Sequence, residues 1–575
     1  MRKLFPFLGK YKKYIALGPL CVLLDVACEV SIPVLMASII DEGIMKGNMQ
    51  HIVKIGIIMV LLALFAAATG GSNSYFSSKA AQGLGANLRD SLFSKIQSFS
   101  FADVDRFSTS SLVTRCTSDV NSLQMAVMMS LRLLVRSPLM LVSALVMSLR
   151  INSELTMILL VAIPVLLISI GIILKTVNPL FHISQKKVDV LNRTVQENVI
   201  GQRVVKAFVR KNQEEGKFKI ANDDVMQITI RALSVMMWAT PIMMIVMNGA
   251  VVAALWFGGQ QVSIGGFGIG ELNSFINYAM QILISFIMMA MMLVMVARSK
   301  ASYDRIFEVL EVTPDIQNPM RNALHSVASG EVRFDHVSFS YQKDAADNVI
   351  LSDIDFSVQP GQIMAIVGST GSGKSTLVNL IPRLYDVSEG AVLVGEHDVR
   401  EYDQAALRDA IGVVLQNNVL FSGSIRENIK WGKEDATEEE IVAACKAAQA
   451  HDFIMSFPEG YDTHIEQGGT NVSGGQRQRL CIARALVKKP RILILDDSTS
   501  AVDTATESKI REAFYQEMKG TTVFLVAQRI SSVQDADSII VMDNGTISGV
   551  GTHEQLLENN AIYQEIYRSQ SGEVA

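Results

Sequence analysis

The N-terminal part of the chain alternates long apolar stretches with polar ones, and each apolar stretch is long enough to cross a lipid bilayer. The polar stretches after the second and the fourth apolar segments keep a helical periodicity, so we expect those helices to continue beyond the membrane. The pattern predicts an all-α membrane domain over residues 1–313. Its six predicted spans lie at about residues 15–40, 52–75, 127–149, 154–176, 236–258 and 272–297.

The two long polar connections carry many lysines and arginines, whereas the connections on the opposite side carry few. By the positive-inside rule, this asymmetry places both long connections and both termini in the cytosol. We therefore expect a multi-pass protein of the cell membrane (the inner or plasma membrane), embedded in the lipid bilayer.

The pattern changes after residue 313. Residues 314–330 are polar and turn-prone, as is typical of a linker. Residues 331–575 begin with strand-like alternation and continue with alternating strand and helix signals, which predicts an α/β domain. The fold class is therefore a multidomain membrane protein: six membrane helices with long cytosolic extensions, followed by an α/β domain.

Composition supports this division and excludes one class of partner. Of the 575 residues, 49% are hydrophobic and only 19% are charged, which favours a protein partly buried in lipid. The net charge of −5 gives no basis for nucleic-acid binding. The five cysteines are scattered and form no metal-spaced pair, so we expect free thiols.

The clearest chemical motif is "GSTGSGKST", residues 368–376, which follows the apolar strand "IMAIV" and precedes a helix. Its glycines allow backbone N–H groups to surround phosphate, Lys374 supplies charge to the β- and γ-phosphates, and Ser375 supplies a hydroxyl to Mg²⁺. This strand–loop–helix context predicts a P-loop that binds ATP and Mg²⁺. The other predicted nucleotide contacts in the loop are Gly368, Ser369, Thr370, Gly371, Ser372, Gly373 and Thr376.

Two further stretches carry groups that suit a nucleotide. The apolar strand "ILIL" ends at Asp496, where a metal-orienting carboxylate is needed, and Asp497 follows directly. The stretch "NVSGGQRQRL", residues 471–480, exposes backbone N–H groups at a helix start, through Ser473 and the residues after it. Because one domain cannot easily aim two separate phosphate-binding loops at one nucleotide, we expect the second to serve another subunit. Its predicted contacts are Ser473, Gly474, Gly475 and Gln476.

Taken together, the chain resembles a half-transporter of the ATP-binding-cassette exporter family along its whole length. The P-loop matches the family's Walker A motif, the strand ending at Asp496 its Walker B motif, and residues 472–476 its signature. "SAVD" matches the D-loop, which ends at Asp503. The resemblance implies the type 1 exporter fold, with two cassettes meeting head to tail and each ATP held between one Walker A and the other signature.

The same resemblance assigns two more residues and two coupling segments. It implies that Tyr341 stacks on adenine and that Gln416 is the Q-loop glutamine, close to the metal and to the reaction. It also implies that short helices at about residues 101–115 and 205–215 transmit cassette movement to the membrane domain.

This chain departs from the family pattern at two catalytic positions. Asp497 stands where the family has a glutamate base, and Gln528, in "AQR", stands where the family has a histidine. A base must come within about 2.6–3.2 Å of the water it activates, and a misplacement of ~1 Å can cost on the order of 10²-fold in rate. Gln528 can donate a hydrogen bond to a γ-phosphate, but it cannot carry a positive charge. We therefore expect this site to bind ATP and to hydrolyse it poorly.

The intact signature is useful only opposite a competent Walker site, so we expect a non-identical partner half-transporter with the consensus glutamate and histidine. The resulting hypothesis is an ATP-hydrolysing heterodimeric exporter of drugs and lipophilic compounds, hydrophobic or amphiphilic. A peptide or lipid exporter subunit is an alternative within the family. An ATP-gated channel or regulatory membrane protein is an alternative of another class.

The first predicted span carries two acidic residues, Asp25 and Glu29, four positions apart on one helix face. A carboxylate at bilayer depth costs ~2.5–3.5 kcal/mol on insertion scales, so a partner or a wet cavity is required. One hypothesis is an acidic cavity wall that favours cationic amphiphiles. The other is a polar contact between helices.

Overall fold

The structure, a computed structural model, describes residues 2–319, 322–341, 349–497, 510, 512 and 520–571. It divides into two compact units. The first comprises Met1–Lys95 and Ser110–Val312, and the second comprises Ile96–Thr109 and the chain from Thr313 onward. Residues 96–109, which the sequence pattern places in the membrane domain, thus pack with the second unit.

The chain before residue 313 is helical almost throughout. Over residues 2–319 we number eleven α-helices, of which α3 belongs to the second unit. They are α1 (Lys12–Ser38), α2 (Met49–Gln97), α3 (Phe101–Phe107), α4 (Thr109–Thr114), α5 (Val120–Met129), α6 (Val135–Ile151), α7 (Ser153–Ile200), α8 (Gln202–Ala207), α9 (Lys211–Met237), α10 (Ala239–Ser263) and α11 (Ile269–Leu310).

Six helical runs in the described chain are long and apolar enough to cross a membrane, which confirms the predicted number of spans. The helix α2 alone has 49 residues and so is ~73 Å long, far more than the ~30 Å hydrocarbon core of a bilayer. The prediction that the helices continue beyond the membrane is therefore confirmed. The six runs are Pro6–Ile44, Met49–Gln97, Thr109–Ile151, Ser153–Ile200, Lys211–Ser263 and Ile269–Met289.

Local sequence explains the tight turn between α6 and α7. Asn152 has an extended backbone conformation, and its side-chain oxygen accepts hydrogen bonds from the backbone N–H groups of Glu154 and Leu155 at 3.0 Å. This is an N-cap, which satisfies two of the donors left free at the start of a helix. The single residue between the two helices is therefore enough to reverse the chain.

The core of the first unit lies between α1, α6, α7 and α11. Val22 and Val26 of α1 and Phe275 and Tyr278 of α11 are almost fully buried there. Hydroxyl groups of α11 also bond to carbonyls of α1, because Ser274 donates to Pro33 and Tyr278 donates to Val30. These contacts fix the first membrane helix against the last.

The second unit contains an antiparallel sheet and a larger, mainly parallel one. The order is β2-β1-β4-β5 in the first and β12-β11-β3-β10-β9-β6 in the second, where only β12 is antiparallel to its neighbour. A short antiparallel pair, β7-β8, is separate. The strands are β1 (Val332–Phe339), β2 (Leu351–Val358), β3 (Ile363–Gly368), β4 (Glu389–Val394), β5 (His397–Asp398), β6 (Ile411–Val414), β7 (Gly423–Ser424), β8 (His464–Ile465), β9 (Ile492–Asp496), β10 (Thr522–Val526), β11 (Ser538–Asp543) and β12 (Thr546–Gly551).

Helices cover the parallel sheet, whose strands are buried on both faces and so read as continuous apolar runs. In such a sheet, ligands bind outside the carboxyl ends of the strands. The strands β3 and β9 end at Gly368 and Asp496, the positions of the two Walker motifs. The helices described in this unit after residue 313 are α12 (Lys374–Leu380), α13 (Gln404–Asp409), α14 (Ile425–Lys430), α15 (Glu438–Ala447), α16 (His451–Met455), α17 (Gly474–Leu486), α18 (His553–Asn559) and α19 (Ala561–Ser571).

Candidate functional site

The two Walker motifs, Tyr341, Gln416 and Gln528 of the second unit meet around one cavity of about 330 Å³. Residues from the P-loop form one side, and the ends of β9 and β10 bring the two aspartates and Gln528 to the other. The lining residues are Tyr341, Ile350, Thr370, Gly371, Gly373, Lys374, Ser375, Thr376, Gln416, Asp496, Asp497, Val526 and Gln528. Residues that lie far apart in the sequence are thus gathered at the edge of the parallel sheet.

The P-loop connects β3 to α12 through backbone conformations that favour glycine. Gly368, Gly371 and Gly373 all have positive φ angles, and a Cβ at Gly368 would lie only 2.3 Å from the carbonyl oxygen of Met542. The Nζ of Lys374 donates to the carbonyl oxygens of Gly368 at 2.9 Å and Ser369 at 2.7 Å. Burial lowers the pKa of the Lys374 ammonium.

Ser375 and Asp496 lie in direct contact. The Ser375 hydroxyl donates to Oδ1 of Asp496 at 2.9 Å, and Asp496 is 4% exposed. Burial raises the pKa of the Asp496 carboxyl, and the nearby Asp497 raises it further, while the bond from Ser375 opposes the increase. Gln416 lines the same cavity. Hydroxyl, carboxylate and amide oxygens are the donors that Mg²⁺ prefers, so this set fits that ion.

The two departures from the family pattern contact each other. The side-chain amide of Gln528 donates to Oδ2 of Asp497 at 2.9 Å, and Gln416 also bonds to this carboxylate. Burial raises the pKa of Asp497, and the bonds from Gln416 and Gln528 offset part of that increase. The backbone of Asp497 has φ +48°, a left-handed conformation that aspartate tolerates better than most residues.

Tyr341 forms the outer wall of the cavity. Its hydroxyl bonds to that of Thr376 at 3.0 Å, and its ring is nearly perpendicular to the rings of Phe339 and Tyr385, with centroid distances of 4.9 and 5.1 Å. The Tyr341 ring therefore has a supported orientation while about half of the residue, 48%, remains exposed.

The signature residues form a capped helix start outside this cavity. The hydroxyl of Ser473 accepts a bond from the backbone N–H of Gln476 at 3.2 Å, and the Gln476 side chain accepts from the N–H of Ser473 at 2.9 Å. Ser473 and Gly474 are exposed, and none of the signature residues 473–476 lines the described cavity. Asp503, the predicted end of the D-loop, lies outside the described residues.

In the first unit, the two acidic residues of α1 share one arginine. Nη1 of Arg136 lies 2.7 Å from Oδ2 of Asp25, and Nη2 lies 2.5 Å from Oε2 of Glu29. Arg136 is in α6, more than a hundred residues from α1 in the sequence, and its pairing with α1 was not predicted from the sequence. A signal was present, because Arg136 is a charged residue inside a predicted span, where charges are rare and need a partner.

Comparisons with known proteins agree with these two units. A family model described as the ABC transporter transmembrane region matches residues 15–294, and a second, described as ABC transporter, matches residues 351–500. The chain is 40% identical to the ABC transporter ATP-binding protein YfiB of Bacillus subtilis, over 100% of this chain and 99% of that protein.

Other relatives carry names that mention a cargo. The chain is 31% identical to the ATP-dependent lipid A-core flippase of Syntrophus aciditrophicus, over 96% of this chain and 92% of that protein. It is 32% identical to the Bacillus subtilis ATP-binding/permease protein YgaD, which is named for multidrug export, over 99% of each.

A solved structure extends the likeness to the fold. It is the structure of a bacterial Atm1-family ABC exporter with ATP bound, which matches 99% of this chain and 100% of that chain with a TM-score of 0.83 and 25% identity. The helical unit with six candidate spans and the unit with the P-loop cavity correspond to the two matched family regions. The chain therefore belongs to the ABC transporter family, as an exporter half-transporter that carries one membrane domain and one ATP-binding domain.

Proposed function

We propose that this chain works with a second, non-identical half-transporter, and that its own cavity binds ATP but hydrolyses it poorly. The observation that carries the proposal is the contact between Gln528 and Asp497. A neutral amide, not an ionisable imidazole, faces the shortened carboxylate at the base position. The two departures therefore occur in one contact.

The cavity retains the groups that ATP binding needs. Lys374 provides the charge for phosphate, the P-loop provides backbone N–H groups, and Tyr341 provides a supported ring for adenine. Ser375, Gln416 and Asp496 would hold Mg²⁺, which neutralises phosphate charge when it is bound. Nothing among these residues opposes nucleotide binding.

Hydrolysis requires a base and a stabilised transition state, and both are weakened. Loss of general-base catalysis costs ~10²–10⁴-fold in rate. Asp497 is one methylene shorter than glutamate and is held by the amides of Gln416 and Gln528. Gln528 cannot become positively charged as negative charge develops on the γ-phosphate. We expect slow turnover at this cavity.

The signature supports a role toward the partner. None of its residues 473–476 lines the chain's own cavity, and Ser473 and Gly474 lie exposed at the start of a capped helix. We infer that Ser473 and Gly475 complete the ATP site on the partner's Walker motifs, where hydrolysis takes place. This gives each ATP site of the pair a different task.

For the cargo, we propose hydrophobic or amphiphilic compounds, drugs among them. The relative named for multidrug export supports this class, and the relative named as a lipid A-core flippase supports a lipid as the second candidate. We call Asp25, Glu29 and Arg136 the charged cluster. Together they carry one net negative charge, which supports only a modest preference for cations. We place the complex in the cell membrane, with both termini of this chain in the cytosol.

The experiment is to purify the transporter from its own cells through a tag on this chain. Mass spectrometry should find a second half-transporter with a glutamate and a histidine at the two altered positions. This chain purified alone should bind ATP with little hydrolysis. Recovery of this chain alone as an active ATPase would contradict the proposal.

Substitutions in the purified pair then separate the two ATP sites. Gly475→Asp places a negative charge against the partner's γ-phosphate, and Ser473→Ala removes a donor, so ATPase activity should fall ~10²–10³-fold. Asp497→Ala should cost far less, because this aspartate is already a poor base. If Asp497→Ala abolishes turnover while the signature variants remain active, Asp497 is a working base and the proposal is wrong.

A further inference from the structure

The segment that carries Gln528 contacts α19, the last described helix. We call residues 528–532 the switch segment. The side chain of Gln570, in α19, donates from Nε2 to the carbonyl oxygen of Gln528 at 2.7 Å. The Oε1 of the same side chain accepts from the backbone N–H of Ile530 at 2.8 Å. One amide thus brackets two peptide groups of the switch segment.

A cluster of buried apolar side chains lies next to the contact between Gln570 and the switch segment. Ile530 and Val533 are buried together with Tyr563 of α19, at 2%, 0% and 0% exposure. The partly buried Ile566 and Tyr567 of α19 pack against the same cluster. The helix α19 is therefore packed against the residues beside the switch segment, and this packing holds Gln570 next to Gln528 and Ile530.

Hydrogen bonds also attach α19 to α18. The buried hydroxyl of Tyr563 bonds to Nδ1 of His553, in α18, at 2.7 Å, and burial raises the pKa of Tyr563 to about 12. The side chain of Gln564 donates to the carbonyl of Leu557 at 2.7 Å, which joins α19 to α18. These bonds fix α19 without touching the switch segment, so they provide a comparison for Gln570.

We infer that Gln570 is a positioning residue for Gln528, and that the docked C-terminal helix thereby sets how well this cavity distinguishes ATP from ADP. Gln570 fixes the backbone from which the Gln528 amide reaches Asp497 at 2.9 Å. A γ-phosphate is the part of ATP that the Gln528 amide would contact, and ADP lacks it. The inference rests on the proposed function, because it takes this cavity as a nucleotide site with Gln528 toward the γ-phosphate.

The test measures the affinity of the full-length chain for methylanthraniloyl-ATP and methylanthraniloyl-ADP by fluorescence. Gln570→Leu removes both bonds at nearly constant size. Affinity for the ATP analogue should fall about three- to tenfold, the range for losing one or two neutral hydrogen bonds, while affinity for the ADP analogue stays within twofold. Gln570→Glu keeps the acceptor for Ile530 but places a carboxylate oxygen against the carbonyl oxygen of Gln528, so its effect should be at least as large as that of Gln570→Leu.

A matched control is Gln564→Leu, which removes side-chain bonds from the same helix but from a different neighbour. It should leave the ratio of the two affinities unchanged. If it lowers the ratio as much as Gln570→Leu does, general docking of α19 is responsible and the role of Gln570 is refuted. An equal loss of both affinities in Gln570→Leu and Gln570→Glu would refute it as well.

Gln528→Ala separates this inference from the proposed function. It should lower the ratio by itself, and Gln570→Leu added to it should have no further effect. If Gln528→Ala leaves the ratio unchanged while the ATP analogue still binds, the γ-phosphate role of Gln528 and this inference both fail, and the proposed nucleotide site stands. If Gln528→Ala lowers the ratio but Gln570→Leu does not, the nucleotide site stands and only the role of Gln570 is overturned.

Discussion

The nucleotide cavity and the charged cluster of the first unit contain the same kinds of groups in different arrangements. Each has two carboxylates that are close in the sequence and one cation that lies on a helix elsewhere in the sequence. In the cluster, Arg136 bonds directly to Asp25 and Glu29. In the cavity, Lys374 donates to the carbonyl oxygens of its own loop and forms no ion pair with either described aspartate.

This difference separates a structural contact from a ligand site. The positive charge of a guanidinium that binds two carboxylates is largely neutralised within the protein, and the ion pairs hold two helices together. An ammonium that bonds only to neutral carbonyls keeps its charge available, and phosphate is the group that uses it. We therefore expect the cavity to bind a ligand and the cluster to join helices, and substitution can break each expectation.

The largest expected effect is at the available cation. Lys374→Ala should weaken ATP binding to the full-length chain by on the order of 10²-fold, because charged hydrogen bonds contribute ~1.5–3 kcal/mol each. Titration with a fluorescent nucleotide measures this loss of affinity. The control is Lys446→Ala, an exposed lysine at the end of α15, which should bind ATP as the native chain does. A Lys374→Ala chain with native affinity would remove the distinction between the two regions.

The next effect is on stability, in the cluster. Arg136→Met leaves Asp25 and Glu29 side by side without their cation. Removing one partner of a buried pair costs ~3–5 kcal/mol, and we expect ~2–3 kcal/mol here because the Arg136 side chain is 39% exposed. Thermal unfolding of the purified protein and its level in the membrane would show the loss.

The neutral triple variant sharpens this result. Arg136→Met combined with Asp25→Asn and Glu29→Gln removes the charges together, so most of the stability should return. If the cluster only joins α1 to α6, this variant should export cationic and neutral dyes in the native proportion. A selective loss of cationic dye export at native protein levels would instead identify the cluster as part of the cargo path.

Sequence alone predicted much of the cavity, for a physical reason. Phosphate and metal binding need particular residues at fixed spacing, so the P-loop, Asp496 and the signature are recognisable as short motifs. The meeting of the P-loop with Asp496 follows from topology, since parallel strands present their carboxyl ends at one edge of the sheet. The signature lies outside this cavity. The six spans were predictable because lipid demands long apolar segments.

The contacts that sequence did not predict depend on packing between distant elements. Arg136 meets Asp25 only because α6 packs against α1, and no local pattern specifies that pairing. Gln570 is an exposed glutamine in a polar helix, a context that does not indicate any partner. The contact of Gln528 with Asp497 was equally invisible, although both positions were recognised as unusual.

The smallest expected effect concerns the buried Asp496. Asp496→Asn should raise the unfolding midpoint of the full-length chain at neutral pH by about 1–2 °C, roughly the shift that ~0.5 kcal/mol gives in a domain of this size. The amide oxygen can still accept the bond from Ser375, so the change removes mainly a buried charge. Mg²⁺-dependent binding of the nucleotide should weaken at the same time, because the substitution removes a carboxylate that we propose as a metal ligand.

The direction of the pH dependence follows from the raised pKa of Asp496. A carboxyl whose folded pKa is above its unfolded value contributes stability at low pH, and that stability is lost as pH rises through the folded pKa. The advantage of Asp496→Asn should therefore be largest at pH 7.5 and shrink toward pH 5. The exposed Asp435→Asn is the control and should show no such trend. A lower midpoint for Asp496→Asn at pH 7.5 would mean that the carboxylate stabilises the fold around the empty cavity. Asp496 would then resemble the paired carboxylates of the charged cluster, which we expect to stabilise the packing of α1 against α6.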